Sequence, residues 1–210
     1  VTEPYLKQDG LAHLALEGRA VESRGEAGVA LAQKPYPAIL NLRGNPSDQT
    51  FMQAAGQALG AALPVIANSS LSIEGAEVLW LGPDEWWIIS RVDASESAEP
   101  AQRLRDALGN VHAAVTEMGD SRVCLQVSGP KARDLLAKGT SLDLHPGVFG
   151  GPGHCAQTHL AKTIVVLHQT SEDPQDGPTF EIFVLRSFAD YLWRWLEDAA
   201  QEFGAAILKA

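Results

Sequence analysis

The sequence predicts an α+β fold of two split βαβ, ferredoxin-like units in tandem. Three observations predict it. Short runs rich in β-branched and aromatic residues alternate with segments of helical period. Their order reads strand-helix-strand-strand-helix-strand and then repeats, the two copies sharing a strand or abutting at the middle. Proline, glycine and aspartate cluster where the pattern changes period. Identity between the halves is negligible, so the duplication lies in the plan and not in the letters.

The first stretch, residues 1–37, is the least regular and reads as an N-terminal arm. Leucines at 6, 11, 14 and 16 are scattered among Gly, Glu and Arg, and Pro35-Tyr36-Pro37 closes it. One short strand is expected around Val29-Ala30-Leu31. The leucines require cover, either from the rest of this chain or from another molecule. Residues 38–205 read as one α+β domain with subdomains at roughly 38–121 and 122–205.

Ile39-Leu40-Asn41-Leu42 opens the first unit as a strand. Asn45-Pro46-Ser47-Asp48 reads as a helix start, with Asn45 as N-cap and Pro46 at the first helical position. Phe51, Ala55, Ala58 and Leu59 form its apolar stripe and Gly60 can end it. Val78–Leu81 and Trp86–Ile89 are strands joined through Gly82-Pro83-Asp84-Glu85, where proline presets the first turn dihedral. A helix follows from Glu96 to Leu108, with Leu104 and Leu108 on one side. Arg122 to Val127 is a strong strand.

Ser128-Gly129-Pro130 then leads into a helix from Lys131 to Lys138, closed near Gly139. Gln157 to His168 and Phe180 to Leu185 read as strands around a polar loop, residues 171–178. The last helix runs from about Ser187 to Phe203, and Ser187 and Asp190 have capping-box spacing.

The chain has 210 residues, 45% hydrophobic and 20% charged, which suits a folded globular protein. Its net charge of -10 disfavours nucleic acid and anionic lipid as partners. No apolar run reaches the roughly 18 residues of a membrane span. Val1-Thr2-Glu3-Pro4 is not a secretory start, so a bacterial-type cytoplasmic location is expected. Two cysteines, Cys124 and Cys155, are too few for a disulfide framework, and Cys124 reads as a core thiol.

Chemical motifs fail their contexts. Gly151-Pro152-Gly153-His154-Cys155-Ala156 fits a dinucleotide fingerprint in letters, yet it follows a loop and precedes a β-like run, so a surface loop is expected. His154, Cys155, His159 and His168 could ligate zinc, but an extended strand holds Cys155 and His159 about 13 Å apart. There is no G-x-S-x-G elbow, H-E-x-x-H or P-loop. No residue is assigned a catalytic, cofactor-binding or metal-ligating role.

The aromatic residues say more. In the last helix, Phe188, Leu192, Trp195, Ala199 and Phe203 share a stripe expected to face the core. Trp193 then points about 140° from Phe188 and is expected to be exposed, as an interface anchor. Trp86 and Trp87 are adjacent in a strand and must face opposite ways. One of them needs cover beyond the helices, from a loop of the same chain or from another subunit. Trp86, Trp87 and Trp193 are therefore the candidate interface residues.

Several stretches, taken in order, resemble the gamma subunits of heterotetrameric sarcosine oxidase. They are Leu42-Arg43-Gly44, Leu81-Gly82-Pro83-Asp84-Glu85-Trp86, Asp120-Ser121-Arg122, Leu142-Asp143-Leu144-His145-Pro146 and Leu185 through Trp193. Together they span about residues 39 to 204. From Val127-Ser128-Gly129-Pro130-Lys131-Ala132 onward the chain is also similar to the folate-binding domain of the glycine-cleavage T-protein and dimethylglycine dehydrogenase.

The resemblance implies the duplicated fold of that folate-binding domain, and it implies an assembly. The sarcosine oxidases of this type convert sarcosine to glycine, formaldehyde and hydrogen peroxide. With tetrahydrofolate as co-substrate the one-carbon unit becomes 5,10-methylenetetrahydrofolate. FAD, FMN, NAD and zinc belong to the alpha, beta and delta subunits, and the gamma subunit has no assigned cofactor. The aminomethyltransferases carry an aspartate shortly before the strand ending in Val-Ser-Gly-Pro. Counting back places Met118 there, or Glu117 with one gap, with Asp120 near. That departure argues against folate chemistry in this chain and for a noncatalytic, assembly role.

Overall fold

The structure, a computed structural model, describes residues 9–35, 38–90 and 98–209. Leu6, Tyr36, Pro37, Glu96 and the opening Val1–Pro4 lie outside the described residues. The chain forms two sheets packed face to face, each covered on its outer face by helices, in the order α/β/β/α.

The first sheet contains β2 (Ala38–Gly44), β3 (Ser70–Ile73), β4 (Ala76–Gly82), β5 (Glu85–Ser90) and β6 (Ala113–Glu117). Its spatial order is β3-β4-β5-β2-β6, antiparallel throughout. Leaving out the short edge strand β3, this is the ferredoxin-like order. After the short helix α1 (Leu16–Arg19) of the N-terminal segment, helices α2 (Gln49–Leu59) and α3 (Ala98–Leu108) lie on one face of this sheet. Phe51 and Ala55 from α2 and Ala101, Leu104 and Leu108 from α3 pack on Leu40, Leu42, Val78, Trp86 and Ile88.

Helix α2 begins later than expected. Its N-cap is Asp48, whose carboxylate accepts from the N–H groups of Thr50 and Phe51. Asn45 makes a tight turn instead: its Oδ1 accepts from Ser47 N–H at 2.9 Å, with Pro46 inside the turn. Gly60 ends the helix in the left-handed region at φ 74°, as expected.

The second sheet contains β1 (Val29–Gln33), β7 (Arg122–Ser128), β8 (His154–Leu160), β9 (Thr163–Asp173), β10 (Gly177–Leu185) and β11 (Ala205–Ile207). Its order is β11-β1-β7-β10-β9-β8. Strand β1, from the stretch read as an arm, inserts between β7, antiparallel, and β11, parallel. The sheet thus draws on both sides of residue 38. Two glycines permit this crowding. A Cβ on Gly129 (φ 116°) would lie 2.6 Å from the Gly28 carbonyl, and one on Gly28 2.7 Å from the Phe203 carbonyl.

The two units abut and do not share a strand: after β6, the last strand of the first, the 3₁₀ turn Gly119–Ser121 carries the chain into β7 of the second. Gln157–His168 is likewise not one strand. It breaks at Ala161, where φ is 54°, into the hairpin of β8 and β9. The polar loop shrinks to a tight turn, because β9 and β10 run on to pair Asp173 with Gly177.

Leu11 of the N-terminal segment is buried against this sheet's outer core, and Leu14 and Leu16 pack beside it, so their cover comes from this chain. So do α4 (Ala132–Ala137) and α5 (Ala189–Ala200). In α5 the buried positions are Ala189, Leu192, Trp193, Leu196 and Ala200. That face is rotated by roughly a quarter-turn from the expected stripe. The reason is size: small Ala189 and Ala200 let the helix sit close to the sheet, leaving Phe188 42% exposed and Trp195 half-buried. The Ser187–Asp190 capping box does not form, because Asp190 is engaged by Arg194 and His13.

The inner faces meet in a separate apolar cluster that includes Ile39, Leu79, Trp87, Ile89, Cys124, Cys155, Val166 and Phe183. At one edge the sheets are stitched directly, with Ser70 N–H donating to Gly153 carbonyl and Cys155 N–H to Asn68 carbonyl.

Candidate functional site

Strand periodicity dictates what lies between the sheets. On β7, Arg122, Cys124 and Gln126 share one face, and cross-strand register extends each into a row. The innermost row runs Gln126, Glu181, His168, Cys155; the middle row runs Cys124, Phe183, Val166, Gln157. The outer row begins with Arg122 opposite Leu185 and continues to Ile164 and His159.

The middle row makes the seal. Phe183 meets Trp87 edge-on with ring centroids 6.1 Å apart, and Gln157 donates to Leu81 carbonyl at 3.0 Å. The inner row holds a strut. Ser70 Oγ lies 3.1 Å from His168 Nε2, and Glu181 is 3.6 Å from His168 Nδ1. Serine, imidazole and carboxylate follow the order of a hydrolytic relay. The donors an oxyanion would need are committed, however: Ser70 N–H and Cys155 N–H already serve Gly153 and Asn68. The cluster ties β3 to the second sheet.

Neither thiol is poised for chemistry. Burial pushes Cys155 up to about 12, and its Sγ donates to Ser69 and Trp80 carbonyls at 3.2 and 3.3 Å. Burial, reinforced by Glu181, holds Cys124 far above the ordinary thiol value. Cys155 and His168 are cross-strand neighbours, but His154 lies on the opposite face, against Phe149. Among the described residues no three of His, Cys, Asp and Glu converge on a cation position. Gly151–Gly153 is a loop leading into β8.

The outer row is open. Leu185 is 37% and Ile164 56% exposed, because the first sheet ends short of them. Arg122 is half-buried, and its guanidinium lies 5.2 Å above the Trp87 ring. No hydrogen bond or ion pair ties this guanidinium among the described residues, and its Nε is buried without a partner. Desolvation lowers its pKa, with the charge of Glu85 opposing. Glu85 itself is taken: it accepts from Asn41 Nδ2 at 2.5 Å and lies 3.6 Å from Arg43.

The linker from β6 to β7 also shapes a surface recess, which Arg122 does not line. The cavity, about 670 Å³, is lined by Asp120, Ser121, Leu185, Arg186, Ser187 and part of the segment around His13. Met118 packs against the inter-sheet core and donates its N–H to Ile39 carbonyl at 2.8 Å. Glu117 is exposed and paired with Arg105 at 3.3 Å.

The three candidate interface tryptophans are all enclosed by this chain. Trp86, at 0% exposure, lies under α2 and donates to Pro64 carbonyl at 2.7 Å. Trp87 is covered by the second sheet, and Trp193 by the core beneath α5. The expected exposure of Trp193 is corrected by the rotated helix face. The outward apolar groups around the open row are Leu185, Phe188 and Tyr191, at three-residue spacing. Sequence reasoning passed over Arg122. The available signal was phase: Arg122 alternates with Cys124, so it must share the face of a buried thiol.

Comparison with known proteins gives consistent relatives. The sequence model described as "Sarcosine oxidase, gamma subunit family" matches residues 43–202. The sarcosine oxidase subunit gamma of Corynebacterium sp. (strain U-96) is 34% identical over 98% of this chain and 96% of its own length. The Arthrobacter sp. subunit gamma is 32% identical over 95% and 93%. Among solved structures, a chain of the heterotetrameric sarcosine oxidase from Corynebacterium sp. U-96, in complex with pyrrole 2-carboxylate, superposes with a TM-score of 0.82. It is 33% identical and covers 96% of this chain and 98% of its own. The glycine cleavage system aminomethyltransferase T of Bartonella henselae superposes with a TM-score of 0.63 at 15% identity. It covers 97% of this chain and 59% of its own, a likeness of fold.

Proposed function

The chain belongs to the sarcosine oxidase gamma subunit family, and from that premise we propose that it is the noncatalytic member of a heterotetrameric oxidoreductase. Its alpha, beta and delta partners hold FAD, FMN, NAD and zinc. The assembly oxidatively demethylates sarcosine to glycine, formaldehyde and hydrogen peroxide. Tetrahydrofolate, when present, accepts the one-carbon unit as 5,10-methylenetetrahydrofolate. The work of this chain is to cover apolar surface of the larger subunits and fix their arrangement, in the cytoplasm.

The observation that carries the noncatalytic reading lies at Glu117 and Met118. With one gap the position of the aminomethyltransferase aspartate falls on Glu117, which is already paired with Arg105; counted without gaps it falls on the Met118 thioether, packed on the inter-sheet core. The thioether can neither accept a proton nor hold a charged amine. The inert thiols agree with that reading. No helix among the described residues is long and apolar enough to cross a membrane.

The test is purification of the native assembly. This chain should travel with larger flavin-bearing chains on a denaturing gel, and the isolated chain should be colourless. Turnover of sarcosine by the isolated chain, or a flavin spectrum from it, sinks the reading. A second reading, a free-standing folate-binding protein, draws on Asp120 at the rim of the recess. Calorimetry with a reduced folate separates the two: a stoichiometric signal abolished by Asp120→Ala favours the second.

A further inference from the structure

Most arginines of this chain have their partners within it. Arg133 donates to Leu144 and Phe149 carbonyls and to Glu172; Arg43, Arg105 and Arg194 sit in ion pairs. Arg122 has a ring beneath it and, among the described residues, no acceptor for its buried Nε. Glu85, whose charge opposes the desolvation of Arg122, is already held by Asn41 and Arg43. A buried N–H such as this Nε is costly unless something supplies an acceptor.

We propose that the open end of the inter-sheet cleft, where Arg122 lies on Trp87 beside exposed Leu185 and Ile164, receives a segment of a larger partner subunit whose carboxylate pairs with Arg122. This rests on the subunit reading given above. A guanidinium binds a carboxylate through two parallel N–H donors, which fixes orientation as well as charge. The ring beneath Arg122 holds the fork in place before the partner arrives, so little freedom is lost on docking. Exposed Leu185 and Ile164 make the flanks apolar. The chain carries a net charge of -10, which repels a broadly acidic surface. The docking segment therefore presents one carboxylate among apolar residues, not an acidic run.

The test uses the whole assembly, co-expressed with its partner subunits. Arg122→Glu should lower retention of this chain by the tagged large subunits about tenfold or more, and Arg122→Gln by less. Wild-type retention should weaken with rising salt, while Arg122→Gln should lose most of that dependence, which a merely structural residue would not do. Lys131→Glu, on a remote surface pair with Asp134, should be retained as wild type. If Arg122→Glu does not fold, Leu185→Asp, directly opposite Arg122 in the same row, is read in its place and should also be lost from the assembly. Variants retained at wild-type stoichiometry and salt dependence overturn the inference and leave the subunit reading intact. A wild-type chain that never travels with flavin-bearing chains overturns both. A wild-type chain that binds glutarate in calorimetry, with the signal lost in an Arg122→Gln variant that still assembles normally, assigns the site to a small dicarboxylate and overturns the docking proposal.

Discussion

Trp86 and Trp87, consecutive in β5, bury their rings in two different cores: Trp86 between the first sheet and its helices, Trp87 between the two sheets. Each should cost about 3–5 kcal/mol on truncation to alanine, the scale of a large buried aromatic. The consequences should differ. Trp86→Ala also orphans the Pro64 carbonyl and loosens α2. Trp87→Ala removes the partner of Phe183 and the platform of Arg122, and should let the two sheets separate at lower denaturant than the helices melt. Urea unfolding followed by fluorescence and far-ultraviolet dichroism checks this. A loss below about 1 kcal/mol at either position would place that ring outside a core.

The thiols predict an alkaline limit. In the fold Cys155 stays protonated up to about 12, while the unfolded chain ionises near the ordinary 9.0. A raised folded pKa stabilises fully below the unfolded value, and that stability drains away as pH climbs from about 9 toward 12. Unfolding midpoints should fall across that window, and Cys155→Ser should flatten the fall. At pH 8 iodoacetamide should modify the native protein at least about a hundredfold more slowly than the denatured chain. Rapid labelling of the native protein would contradict the burial of both thiols.

The helix cap gives a sharper contrast. Asp48→Ala should cost about 1 kcal/mol, since two N–H groups lose their acceptor. Asn45→Ala, which removes only a turn contact, should cost less than half of that. Equal losses would return the cap to Asn45.

A chain beginning at residue 38 should not fold cooperatively. It lacks β1, which leaves β7 with one bare edge and β11 with no strand to pair. Gel filtration should show aggregation, and urea should give no single steep transition. A monomer with full-length stability would refute the interleaved sheet.

Local chemistry made parts of this fold readable. The Pro83-Asp84 turn, the alternation of Arg122 through Val127 and the Gly60 terminator are each decided within a few residues. Other parts are decided elsewhere. Ala161-Lys162 carries no glycine, proline or asparagine, so nothing marks the turn that splits β8 from β9. The face of α5 follows from how closely Ala189 and Ala200 approach the sheet, whereas Phe188 and Trp195 draw attention by bulk. The position of β1 depends on a strand nearly a hundred residues away, beyond any periodic signal. The site was legible only in part. Met118, or Glu117 with one gap, could be counted from the Val-Ser-Gly-Pro landmark, but Arg122 becomes notable only once β5 is laid across it.

The order of synthesis acquires a meaning from the insertion of β1. Among the described strands, residues 29–33 are made before the others, yet one edge of their slot is β7 and the other is β11, the last of those strands. This strand must wait, apolar and unpaired, until β7 and β11 have been made. Meanwhile the first unit can close by itself, since all its strands lie between residues 38 and 117. A nascent chain stalled after β6 should therefore hold a finished sheet and a sticky, waiting leader, a natural substrate for chaperones.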